Sequence, residues 1–73
     1  MSDPSSIEIR LNGEAATCPE GLSLLQLLEL RGYRPQLVVV EFNGEILPRS
    51  CWADQLVRQA DTVEVVTIVG GGS

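Results

Sequence analysis

The chain has 73 residues, 44% of them hydrophobic and 21% charged, with a formal net charge of −5. That length accommodates one domain. A domain this small buries only about 60% of the surface its unfolded chain exposes, which leaves little room for a deep catalytic cleft beside a core. The only cations are Arg10, Arg31, Arg34, Arg49 and Arg58, with no lysine and no histidine. A surface that tracks nucleic-acid phosphates is therefore disfavoured, as is attraction to an anionic membrane.

Residues 1–6 read as a disordered polar lead. They lack the basic start and apolar stretch of a signal peptide, and no apolar run approaches the ~20 residues of a membrane span. Cys18 and Cys51 are too few for the disulfide framework of a small secreted domain. Without histidine they also make a poor zinc set. The expectation is a cytoplasmic protein whose cysteines are there for packing or by chance rather than for redox work.

Ile7-Glu8-Ile9-Arg10-Leu11 alternates apolar and charged residues, the period of a half-buried strand. Asn12-Gly13 then predicts a type I′ hairpin turn, which wants positive φ at both positions. Glu14-Ala15-Ala16-Thr17 is the returning strand, and Cys18-Pro19-Glu20-Gly21 ends it. A helix follows. Ser23 and Gln26 make a capping-box pair, and Leu22 and Leu27 are spaced for a hydrophobic staple. Leu24, Leu25, Leu27 and Leu28 fall on one face. Arg31 suits the last turn, and Gly32 suits a left-handed C′ position.

Leu37 to Phe42 is β-branched and nearly continuous, as in a central strand. Asn43-Gly44 repeats the turn signal, Glu45-Ile46-Leu47 pairs back, and Pro48 stops it. Residues 49–60 are mixed and predict a short turn or 3₁₀ segment. The last strand is Val63 to Val69. Its alternation slips at Val65-Val66, which predicts either a bulge or burial on both faces. The order is strand, strand, helix, strand, short strand, strand. One helix must lie across one face of the sheet to bury its leucines. An α+β fold of the β-grasp, ubiquitin-like kind is the natural closure: a mixed sheet of four to five strands over residues 7–69, with the first and last strands parallel in the middle.

The chain ends Val69-Gly70-Gly71-Gly72-Ser73. Glycines beyond a strand are thin and conformationally free, and three of them extend at most about 10 Å. A tail over residues 70–73 can carry a carboxylate into a partner's narrow channel. The bland reading is a flexible linker. Once a partner makes the carboxylate an acyl-adenylate, a thiolate, persulfide or amine can displace AMP. The tail is then a substrate. The chain, lacking histidine and lysine, is badly equipped for acid–base or Schiff-base catalysis of its own.

Val40-Glu41-Phe42-Asn43-Gly44-Glu45-Ile46-Leu47-Pro48-Arg49, then Trp52, Leu56, Asp61 and Val69-Gly70-Gly71-Gly72, resemble the sulfur carrier family of thiamine biosynthesis over roughly residues 7–72. The resemblance implies a carrier rather than an enzyme, with no bound cofactor. An E1-like adenylyltransferase would use ATP and magnesium to adenylate the terminal glycine, here Gly72 after loss of Ser73. Gly70 and Gly71 would thread the tail. A cysteine desulfurase persulfide would supply the sulfur of a thiocarboxylate, and thiazole synthase would consume it. The sequence leaves open a molybdopterin sulfur carrier, a ubiquitin-like modifier and a non-catalytic interaction domain. Arg49 and Trp52 are candidates for partner docking, although a lone tryptophan with a stacked arginine more often closes a core edge. Ala60 stands where the family usually has glycine, a change expected to matter little.

Overall fold

A computed structural model describes residues 5–68. Two strands, β1 (Ser6–Leu11) and β2 (Glu14–Pro19), pair antiparallel with Leu11 opposite Glu14. The turn between them is the expected one, with Asn12 at φ 54° and Gly13 at φ 84°. β2 runs two residues further than its sequence suggests, to Pro19. A proline is tolerated there because β2 is an edge strand, where a missing N–H breaks no inner ladder.

The helix α1 (Leu24–Leu30) starts at Ser23 with both halves of the capping box formed. Gln26 N donates to Ser23 Oγ at 3.1 Å, and Ser23 N donates to Gln26 Oε1 at 3.0 Å. Its end is a Schellman motif. Gly32, at φ 88°, donates to Glu29 O at 3.1 Å, and Tyr33 N donates to Leu28 O at 2.9 Å. Leu24, Leu27 and Leu28 are buried, each worth about 1.5–3 kcal/mol of transfer free energy. Leu25 is only partly buried at the edge of that stripe.

A 3₁₀ turn (Pro35–Leu37) leads into β3 (Val38–Phe42), so the strand begins one residue later than expected. A second Asn-Gly turn, with Asn43 at φ 53° and Gly44 at φ 88°, returns the chain as the short β4 (Glu45–Ile46). After a 3₁₀ turn (Arg49–Cys51) and an irregular stretch, β5 (Thr62–Thr67) closes the sheet. The strand order is β2-β1-β5-β3-β4, with β1 and β5 parallel at the centre. This is the anticipated β-grasp arrangement, with five strands.

The slip at Val65-Val66 has neither of the expected causes. The β3–β5 register runs unbroken, with Val40 opposite Val65 and Val39 opposite Val66. Val65 packs against the core, while Val66 is 62% exposed on the open face. Two adjacent valines simply point to opposite faces, as the pleat requires.

Residues 52–57 cap the helix. The first helical N–H groups have no partner within the helix. Here Leu24 N donates to Gln55 O at 2.7 Å and Leu25 N to Trp52 O at 3.1 Å. Val57 N returns a bond to Leu22 O at 3.0 Å, and Leu56 bridges to Ser23.

Candidate functional site

The tail that the sequence singles out, Gly70, Gly71 and Gly72, lies outside the described residues. What the structure shows is how the strand that leads to it is held. β5 sits between β1 and β3, and its last described bond is Ile68 N to Leu37 O at 2.6 Å.

Both Asn-Gly turns are tied to this strand by their asparagine side chains. Asn43 N donates to Thr62 O at 2.8 Å, and Thr62 N donates to Asn43 Oδ1 at 2.8 Å. Asn43 Nδ2 donates to Asp61 Oδ1 at 3.1 Å, and the other oxygen of Asp61 accepts from Arg58 N at 2.8 Å. On the opposite side of β5, Val65 N donates to Asn12 Oδ1 at 2.7 Å, while Asn12 Nδ2 donates to the Tyr33 hydroxyl at 3.0 Å. Asparagine thus does more than tolerate positive φ here. It fastens each hairpin to the tail-bearing strand.

Trp52, a docking candidate in the sequence, is 2% exposed and belongs to the core. Its Nε1 donates to Leu47 O at 2.9 Å. A buried ring offers a partner no surface, so Trp52 acts in the fold. Arg49 is exposed; its guanidinium carbon lies 5.7 Å from the tryptophan ring centroid, and Nε donates to Pro35 O at 3.0 Å. That cation–π contact is worth about 0.5–1 kcal/mol at such an exposed position. The Pro-Arg-x-x-Trp element therefore joins β4 to the turn before β3.

The open face of the sheet lies on the solvent side of the tail strand. Val39 and Val66 are directly paired, as are Glu41 and Glu64, and Glu41 also pairs with Ile46. Val39, Ile46, Val66 and Ile68 are exposed hydrophobics. They form an apolar strip flanked by two glutamates facing each other across strands, a like-charge pairing that costs stability. This strip was not anticipated from the sequence, although valines at both parities of a strand signal apolar side chains on both faces.

Cys51 is exposed and Cys18 is buried. Burial pushes the Cys18 thiol up, and the charge of Arg31 only partly opposes this. A thiol held neutral is a packing group rather than a nucleophile. Among the described residues, no three side chains of the metal-binding types converge.

The model of the ThiS family matches residues 9–72, almost the whole chain. The chain belongs to the ThiS family. Its members are non-catalytic sulfur carriers. The chain is 37% identical over 67 residues to the uncharacterized protein ycf40 of Porphyra purpurea, covering 92% of this chain and 94% of that protein. It is 29% identical over 66 residues to the sulfur carrier protein ThiS of Escherichia coli, covering 90% of this chain and all of that protein. A thiazole synthase of Magnetococcus marinus contains a region 35% identical over 66 residues, covering 90% of this chain but 20% of that protein. The crystal structure of the thiamine biosynthesis protein ThiS of Geobacter metallireducens superposes with a TM-score of 0.77 at 33% identity, covering 90% of this chain and all of that one.

Proposed function

We propose that this chain carries sulfur on Gly72 as a thiocarboxylate and delivers it to thiazole synthase for the thiazole ring of thiamine. The observation that carries the reading is the family match running through the glycines to residue 72, on a fold whose central strand leads toward them. The carrier-like region within a thiazole synthase supports the choice of partner.

The chemistry follows from the carboxylate. It is a poor electrophile until an E1-like adenylyltransferase joins it to AMP, using ATP and magnesium bound by that enzyme. A persulfide sulfur drawn from a cysteine desulfurase then attacks the acyl carbon and AMP departs. A second cysteine thiolate of the partner enzyme then attacks the cysteine sulfur of that acyl disulfide, so a new cysteine–cysteine disulfide forms as the thiocarboxylate leaves. Gly70 and Gly71 keep the approach thin enough for a channel. The carrier supplies no catalytic group. Its part is a docking surface, for which the apolar strip of Val39, Ile46, Val66 and Ile68 with its acidic flank is suited. Arg49 shares a surface hollow with Val39 and Ile46 and adds a cation there, with Trp52 holding it in place. The cycle belongs to the cytoplasm, where ATP and reduced thiols are available. No described helix is long and apolar enough to cross a membrane.

The test is incubation of a chain ending at Gly72 with the adenylating enzyme, ATP and a sulfur source. Intact mass should show one oxygen replaced by sulfur at the C-terminus. Isopeptide adducts alone would establish a modifier instead, and no activation would make the tail a linker.

A further inference from the structure

We propose that the tail-proximal half of β5 is a docking edge, where an extended strand of the adenylating enzyme pairs with the backbone of Val65 and Thr67. This rests on the carrier reading above and specifies how the partner holds the strand that delivers the tail.

The strand is central, but its two neighbours do not accompany it equally far. β3 stays beside it to Val38 opposite Thr67, whereas β1 stays only to Leu11 opposite Val63. Asn43 N bonds to Thr62 O, and Ile68 N bonds to Leu37 O. The even-numbered residues of β5 therefore turn their backbone groups toward β3. The odd-numbered ones turn toward β1: Arg10 N donates to Asp61 O at 2.9 Å and Asn12 N to Val63 O at 2.9 Å. There β1 ends and the hairpin turns away. The next group, Val65 N, is taken by the side-chain oxygen of Asn12.

Beyond that point Val65 C=O, Thr67 N–H and Thr67 C=O face the same side, with no partner among the described residues. Thr67 is exposed. Two residues of a central strand are thus an edge of roughly 7 Å, long enough for a few ladder bonds. Backbone edges of this kind bind extended peptides by strand addition, with main-chain bonds giving affinity. Its position immediately before the tail means that such pairing would fix the direction in which the tail enters the partner.

The occupant is a strand of a basic protein surface rather than a second copy of this chain. Side chains of an added strand would lie beside Val66 and Glu64 on the open face, where Glu41 adds a second negative charge. An apolar residue alternating with lysine or arginine complements that row. A second copy brings another net charge of −5 to the same place.

The edge is tested with the Thr67 amide, which is not part of the β3 ladder. A synthetic segment 51–73, ligated at Cys51, introduces N-methyl-Thr67 into the full chain. Binding to the adenylating enzyme should weaken by roughly fivefold or more, the worth of at least one backbone hydrogen bond. Thermal unfolding should be unchanged. In parallel, hydrogen exchange at the Thr67 amide of the unmodified chain should slow when the enzyme is bound. That second measurement decides the matter if the methylated chain fails to fold. Equal binding of the methylated chain, or an unprotected Thr67 amide in a complex that does activate the carrier, would overturn the docking edge and leave the carrier function standing. Protection of Thr67 with rising concentration of the carrier alone would assign the edge to a second copy and overturn it too. If the enzyme neither binds nor activates the unmodified chain, the carrier reading falls and the edge with it.

Discussion

Ala60→Gly should stabilise the protein. Ala60 lies in the turn before β5 at φ 72°, in the left-handed region that side chains with a Cβ avoid. Holding an ordinary residue there costs about 1–2 kcal/mol. Ala60 N still donates to Glu8 O at 2.8 Å, and glycine would keep that bond, since only the methyl group is removed. Against the relief stands the greater freedom of glycine in the unfolded chain, about 0.4–1 kcal/mol. The net expectation is a gain of about 0.5–1 kcal/mol. For a domain of this size that raises Tm by about 2–8 °C. Urea unfolding gives the free energy directly and calorimetry gives Tm. An Ala60→Gly chain equal to or less stable than the parent would show that the turn is not strained as described.

Other substitutions probe the latch, the core and the tail. Asn43→Asp sets a second carboxylate against Asp61, where 3.1 Å now separates Nδ2 from Oδ1. Repulsion raises the proton affinity of the folded pair above that of the unfolded chain. The variant should therefore lose stability against the parent as pH rises through the carboxylate range and regain it on acidification, as unfolding curves at several pH values will show. Trp52→Ala should cost about 3–5 kcal/mol and leave the domain largely unfolded by circular dichroism, because that approaches the whole stability of a small protein. Gly71→Val or Gly72→Val should abolish adenylation in a pyrophosphate-release assay while changing stability by less than about 0.5 kcal/mol, since a branched side chain obstructs a narrow channel in the partner.

Local signals in the sequence map closely onto the structure. Both Asn-Gly turns, the Ser23–Gln26 box and the Gly32 terminus form as the residues require, because each depends on interactions within a few positions. The parallel pairing of β1 and β5 follows from the element order and from the need to cover one helix face. Tertiary roles were not legible. The use of residues 52–57 to cap α1 depends on carbonyls of Trp52 and Gln55, and backbone groups carry no sequence signature. The asparagine latches are invisible for the same reason: a turn residue is recognised by its φ, while its side-chain partners lie 18 or more positions away. Arg49 and Trp52 carried two readings until burial placed the ring in the core. The strain at Ala60 looked minor, since alanine reports nothing about the sign of φ.

Transfer of sulfur from this chain to a thiazole is tested most directly in a single turnover. A chain ending at Gly72, loaded with ³⁵S as the thiocarboxylate and freed of its activating enzyme, should be mixed with thiazole synthase and its small-molecule substrates for a single turnover. Label should appear in the thiazole phosphate, one sulfur per carrier, while the carrier returns to its carboxylate mass. Label that stays on the carrier with thiazole synthase, yet moves to a dithiolene with molybdopterin synthase, would rule out thiazole as the destination of the sulfur.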